Sequence, residues 1–330
     1  MMIDLRKNDI AELDQSSRNA QYRLLAKLKR DHHYVLLDPK CYKEDDDEQK
    51  GRRAAEAMKE LVRVLGQMYT ADSRLLQCDG WYEDQAQEQF YLVFRLPPNI
   101  EEPLTKPLFL DEFYSTYRPG LHMRFQLARA LASAVLEVHK QNWLHKGIRS
   151  DNVIFFHRNK NEKRSMGDPK LIGFDYSRKD MPDVYSEKPI FTAPTTLLFR
   201  ATHANLYRHP DALRNPTVHF NRLHDYYALG VVLVEIAWWS PMETILRKHQ
   251  ELQGEECLET DVEKVQDTLL DRDVYSAEQY QAVLTFTMGD IYRDVVNACL
   301  KSDFDVGVNE SMLLESFERR VLGPLQKIVV

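Results

Sequence analysis

The chain has 330 residues, 43% apolar and 29% charged, with 12 Gly and 14 Pro, a globular composition that excludes a fibrous or disordered protein. At about 150 residues per domain, that length predicts two domains or lobes with a core large enough to need no disulfide or metal staple. Lys and Arg number 44 against 51 Asp and Glu, a net charge of −7, so the basic stripe that nucleic-acid binding requires is not expected.

Residues 1–33 are polar and contain no glycine. Tyr34–Leu37 reads as a short strand, and the acidic run Glu44–Glu48 as a solvated loop. Over Arg52–Met68 the residues Met58, Leu61, Leu65 and Met68 fall on one stripe and predict a helix. Leu75–Cys78 and Phe90–Phe94 read as two strands around a turn at Asp79–Gly80, ended by Pro97 and Pro98. From Leu121 the pattern changes to long helices, the first carrying Leu127, Leu131, Val135 and Val138 on one face. Two short apolar runs follow, Val153–Phe156 and Lys170–Phe174, around a polar loop His157–Asp168. Residues 176–206 lack periodicity, Leu229–Trp239 predicts a fully buried helix, and the remainder reads as helical through Met312–Ile328.

Strands and a helix before larger helices predict an α+β, bilobal domain. The N-lobe covers 1–97, the helical C-lobe covers 98–330, and the cleft lies near residues 97–105. Cys41, Cys78, Cys257 and Cys299 stand far apart with no C-x-x-C pair, which argues against a zinc site and for a reducing compartment. The first residues carry no apolar signal core. The longest apolar stretch is too short to span a bilayer. A cytoplasmic location without a membrane span is expected.

Four segments carry chemistry. They are W-L-H-K-G-I-R-S-D-N at Trp143–Asn152, L-I-G-F-D-Y-S-R at Leu171–Arg178, L-Y-R-H-P-D at Leu206–Asp211, and H-D-Y-Y-A-L-G-V-V-L-V-E-I at His224–Ile236. In that order and setting they resemble the catalytic loop, the metal-binding D-F-G stretch, the A-P-E element and the buried D-x-x-x-x-G helix of protein kinases. The resemblance covers roughly residues 30–300. The particular form, L-H-K-x-x-R-S-x-N with G-F-x-Y-S-R and Y-R-H-P-D, is similar to a fungal group of kinase-like domains. These are found alone or behind the HeLo-type domain of prion and cell-death proteins; this chain is expected to be the stand-alone form.

The resemblance implies a bilobal kinase-like fold with ATP and magnesium as cofactors. It matches His145 to the loop histidine, Arg149 to the basic residue at the terminal phosphate, and Asn152 to a magnesium ligand. Asp225 and Gly230 match the helix motif. Gly147, however, stands where the catalytic Asp should be, and Gly173 where the metal-binding Asp should be. The first glycine of the chain is Gly51, so no glycine loop precedes the first strand to bring backbone amides against phosphates. Lys40 resembles the strand lysine that pairs with a helix glutamate, here Glu56 or Glu60. Arg293 is a candidate partner for Asp211. Asp225 is expected to open its helix, to be buried, and to accept backbone N–H groups near His145 and Lys146.

Phosphoryl transfer needs held phosphates and metals and a carboxylate base, and both acidic positions are lost. The expected function is therefore a pseudokinase acting through protein contacts in intracellular signalling. One alternative is an active atypical kinase using Asp151 as base and Asp175, displaced two residues, as metal ligand. Another is an ATP sensor without turnover, holding nucleotide through Lys40, Glu60, Arg149, Asn152 and Asp175.

Overall fold

The computed structural model describes residues 3–5, 9–13, 23–41, 48–70, 72–84, 89–97, 100, 107–156, 166–174, 176–180, 203–215, 218–253, 265–270, 275–305 and 310–329. The chain is α+β, strand-rich toward its N-terminus and helical toward its C-terminus. It divides into two compact units, one of Met1–Leu108 with Val153–Lys179 and one of Phe109–Asn152 with Asp180–Val330. Much of 97–105, where the cleft is expected, and most of the 157–168 loop lie outside the described residues.

The first unit is built on a sheet of β1 (Ile3–Leu5), β2 (Ile10–Leu13), β3 (Leu24–Leu28), β4 (Tyr34–Cys41), β5 (Cys78–Asp84) and β6 (Gln89–Arg95), ordered β1-β5-β6-β4-β3-β2. β1 runs parallel to β5; the other pairs are antiparallel. Side chains alternate between faces, and Ala26, Leu28, Val35, Leu37, Tyr82, Tyr91 and Val93 form one buried cluster. α1 (Glu48–Met68) buries the predicted stripe of Met58, Leu61, Leu65 and Met68, and Gly66 brings it close to the Cys78 carbonyl.

The polar N-terminal segment supplies β1 and β2, which complete the two edges of the sheet through backbone pairing. One expectation changes here. Asp79–Gly80 is not a turn. Both residues lie inside β5, where the register shifts between Cys78 and Gly80, so the glycine marks a bulge. Asp79 is held within the strand by Arg95, whose Nη2 donates to it at 2.8 Å. Pro39 does not end β4, which stays paired to β6 through Cys41. The β3 ladder stops at Leu37, so beyond it one side of β4 is an edge and Pro39 removes no ladder donor there. A small antiparallel pair, β7 (Val153–Phe155) with β8 (Lys170–Leu171), also belongs to this unit.

The second unit contains α2 (Leu110–Thr116), α3 (Leu121–Lys140), α4 (Pro210–Arg214), α5 (Arg222–Trp238), α6 (Met242–Gln253), α7 (Val265–Leu270), α8 (Tyr275–Leu300), α9 (Glu310–Phe317) and α10 (Gly323–Lys327). α5 is its axis. It is buried almost throughout, as the apolar run predicts, and packs against α3 and α8. Tyr226 stacks on Phe317 at 4.2 Å between centroids, and Tyr292 donates its hydroxyl to the Leu233 carbonyl at 2.8 Å. Among the described residues no single helix is long and apolar enough to cross a membrane.

Gly230 sets the α5–α8 spacing. A Cβ built on it would lie 2.9 Å from Cys299 Cβ and 3.1 Å from Leu300 Cδ2. Helix propensity favours alanine there by about 1 kcal/mol, but overpacking a dense core costs about 1–3 kcal/mol. The neighbouring Cβ is fixed to its backbone, so the clash wins. Gly230→Ala is expected to lower the thermal midpoint by a few degrees and Gly230→Val by much more; an unchanged midpoint for the valine variant would contradict this packing.

Candidate functional site

In the second unit, α3 ends at Lys140 and the chain turns through Asn142, at φ 56°, into the loop of residues 145–152. Asp225 holds this loop. Its Oδ2 accepts the His145 backbone N–H at 2.8 Å and the His139 Nε2 at 2.9 Å, and its Oδ1 accepts the Lys146 N–H at 2.8 Å. Burial works to raise its carboxyl, but the His139 hydrogen bond and the charges and N–H around it outweigh burial and hold it below the usual carboxylate range. The expected burial and loop contact are thus present. Asp225 does not open the helix, however: Asn221 is the N-cap, accepting the Leu223 N–H at 2.9 Å, and Asp225 sits one turn in.

Inside the loop, the Gly147 N–H donates to His145 Nδ1 at 3.2 Å. Asn152 is buried and its Nδ2 donates to the Gly147 carbonyl at 2.5 Å. Arg149 Nε lies 3.0 Å from Asp151 Oδ1. Arg149, Asp151 and Asn152 are therefore brought together, with Asp151 neutralised by its neighbour two residues away and Asn152 turned onto its own loop. The turn Ser150–Asn152 continues into a polar chain: Ser150 Oγ and Tyr207 Oη are 2.9 Å apart, and Tyr207 donates to Glu235 Oε1 at 2.8 Å.

In the first unit, Leu171 bridges to Leu75, and its N–H donates to the Arg74 carbonyl at 2.9 Å. Gly173 follows with φ 86°, a left-handed conformation that favours glycine. Its N–H donates to Asp38 Oδ2 at 2.9 Å, and Asp38 Oδ1 accepts Arg23 Nε at 2.6 Å. Asp38 is only 3% exposed, so its charge is tolerated through this pairing. Phe174 is buried and its ring lies 6.3 Å from that of Phe94.

Lys40 lies in β4 opposite Phe90; its side chain is outside the described residues, as is Asp175. Glu60 lies 3.6 Å from Lys179 Nζ and 4.0 Å from Arg63, and Glu56 is exposed. Arg293 does not pair with Asp211: it binds Asp290 and Asp294, one turn and one residue away on its own helix, at 2.6 and 2.8 Å. Asp211 is exposed, and its carboxylate lies 3.6 Å from His209 Nδ1. Among the described residues no group of three His, Cys, Asp or Glu side chains is placed to hold a metal. Burial pushes the Cys78 thiol up to about 12 and Cys299 up as well, so neither offers a thiolate nucleophile.

Asp38 escaped the sequence reading, although a lone aspartate in the apolar run Y-V-L-L-D was a signal. Strand alternation puts it on the face of Leu36 and Lys40, where a carboxylate needs strong donors. Comparison with protein-family models and with curated proteins finds no match for this chain.

Proposed function

We propose that the chain is a protein-kinase-like domain that has lost phosphoryl transfer and acts through protein contacts in cytoplasmic signalling. One observation carries the reading: the loop 145–152 is fully anchored through Asp225, yet offers Gly147 where a base would stand. A base is the group that accepts the substrate hydroxyl proton, and a glycine has none. The state of the neighbouring groups supports this. Asp151, the surrogate base, is paired with Arg149; Asn152 donates its Nδ2 to the Gly147 carbonyl, which fixes the side chain on the loop and leaves the metal-ligand role to its Oδ1. In the first unit, Gly173 presents its N–H to Asp38 where a metal-binding carboxylate would be needed. The buried Arg23–Asp38 pair gives that loop a structural partner in place of a magnesium ion.

The test is incubation of the full chain with γ-labelled ATP and magnesium, with general protein acceptors present. No labelled protein is expected above the background without enzyme, and ATP with magnesium should leave the melting temperature unchanged. Ligand at 100 times its Kd would stabilise by about 2.7 kcal/mol, so binding would be visible. Labelled product that vanishes in Asp151→Ala would overturn the proposal in favour of an active kinase. A metal-dependent ATP shift without product would favour a sensor.

Asp38→Ala isolates the structural role of this pairing. It leaves the buried Gly173 N–H and the Arg23 guanidinium without their acceptor, a loss of about 2–4 kcal/mol. Urea denaturation should show the midpoint falling accordingly; a midpoint equal to wild type would mean the pair does not hold the loop.

A further inference from the structure

Two histidines take part in capping α4 and α5. His209 precedes α4, and its Nδ1 accepts the Asp211 N–H at 3.2 Å. His224 lies in the first turn of α5, and its Nδ1 accepts the Asn221 N–H at 3.4 Å, while Asn221 Oδ1 accepts the Leu223 N–H. A ring nitrogen that accepts an N–H carries no hydrogen, so both rings hold theirs on Nε2. On His209 that nitrogen faces Ser302 Oγ at 3.3 Å, just beyond α8. Both histidines are buried, and their rings stack with 4.9 Å between centroids and 30° between planes. Phe220 meets His224 edge-to-face at 4.9 Å, and Tyr227 meets His209 in the same way at 5.1 Å. His209 thus ties α4 to α5 and to the chain beyond α8, whereas Arg293 is bound to Asp290 and Asp294 and gives Asp211 no tie.

A second proton on either ring breaks this arrangement. On Nδ1 it sets N–H against backbone N–H, so the acceptor that caps each helix becomes a donor. At the start of α5 it also adds positive charge to the positive end of the helix dipole. When both rings carry it, two like charges face each other across the stack. The surroundings add to the repulsion through Lys146 at His224 and Arg214 at His209. Of the two carboxylates that pull the other way, Asp225 is already engaged with His139 and the His145 and Lys146 N–H groups, and Asp211 is exposed. Burial, then the His209 charge, accordingly hold His224 down to about 4, and burial lowers His209.

We propose that His209 and His224 form an acid-operated catch: protonation of the pair releases α4 and the turn into α5, while α3, α5 and α8 stay packed. The released form returns both imidazoles to water and takes up the proton first as pH falls, so acid favours it. α5 is held along its length by α3 and α8 and remains in place. Toward the N-terminus the release stops at Tyr207. Glu235, pushed up to about 8 by burial, is already protonated at neutral pH, so acid leaves the bond from the Tyr207 hydroxyl to Glu235 as it is. Release uncovers Pro210 and Leu213, both buried in the neutral form. Acid thereby turns a closed face of the second unit into an apolar one.

Amide hydrogen exchange of the full chain in low urea, read fragment by fragment and corrected for the intrinsic effect of pH, separates a local release from unfolding of the whole. From about pH 7.5 to about pH 5 the amides of α4 and of the turn into α5 should exchange about tenfold faster or more. Their rates in acid should not depend on urea, because a local opening exposes little surface, whereas those of α3 and α8 should climb with urea. Unchanged exchange of α4 in acid, or a urea dependence equal to that of α3 and α8, overturns the catch. His209→Asn with His224→Asn puts an amide oxygen where each Nδ1 accepts, without a group that titrates. That variant should keep the neutral protection of α4 and lose the acid acceleration; acceleration that persists overturns the assignment to these two rings. Ring nitrogen shifts of the wild-type chain at neutral pH should place both hydrogens on Nε2, and a hydrogen on Nδ1 of either ring would overturn the cap on which the catch depends.

Discussion

Asp225→Ala is expected to produce insoluble protein, or a soluble fraction whose melting point lies far below wild type. The carboxylate accepts three donors, all in a fully buried setting. Hydrogen bonds to a buried charge are worth about 1.5–3 kcal/mol each, and breaking a buried ionic contact on one side costs about 3–5 kcal/mol. The alanine also orphans two backbone N–H groups and leaves His139 facing a hole. Lys146 is held at φ 62°, a conformation unfavourable for a side-chain-bearing residue, so its strain has to be offset by this same contact. Asp225→Asn separates charge from shape: it keeps one acceptor but turns an amide NH2 toward a backbone donor, and should fall between the two. A soluble alanine variant melting within a degree or two of wild type would show that the loop holds itself.

Acid should weaken the fold well before the carboxylates titrate. His209 and His224 stack with centroids 4.9 Å apart. The Asp211 N–H donates to His209 Nδ1 at 3.2 Å, so the His209 Nε2–H faces Ser302 Oγ at 3.3 Å. Burial, then the charge of His209 and of Lys146, depress His224 to about 4 against the opposing pull of Asp225 and Asp211. Burial lowers His209 too, with Arg214 adding and Asp211 opposing. An unfolded histidine titrates near about 6.5, so as pH falls the unfolded chain takes up the proton first. Stability is therefore complete above about pH 6.5 and declines until about pH 4, with about 2 kcal/mol lost by pH 5 from His224. Urea midpoints at neutral pH and at pH 5 would measure this, with His224→Gln expected to remove most of the difference. An equal slope in that variant would place the acid sensitivity elsewhere.

How much of this was legible depends on whether the signal was local. α1, α3 and α5 show in the sequence because one stripe, or an apolar run on every side, survives as a pattern over several turns. The bulge at Gly80 was not legible, since a glycine in a strand and a glycine in a turn read alike until the partner strand is known. β1 and β2 were missed because edge strands paired through their backbones need no apolar alternation. The loop 145–152 and its Asp225 anchor were expected from the resemblance of these segments to a known family's loop and helix, and the contacts themselves are present. Arg293 was misassigned because carboxylates on its own helix were closer than the distant Asp211.

Gly147 and Gly173 are alike in lacking a side chain, but not as backbone. Gly147 has an ordinary negative φ, and its loop is gripped through the main chain of residues 145 and 146, which carries no information about the side chain that follows. Gly173 sits at φ 86°, buried, with its N–H committed to Asp38. A side chain there would cost about 1–3 kcal/mol in backbone strain and would bring a second carboxylate up to the first. The two positions thus differ in what surrounds them. A side chain at 173 would require Asp38, Arg23 and the loop's own conformation to change together, whereas the hold on residues 145 and 146 runs through their main chain alone.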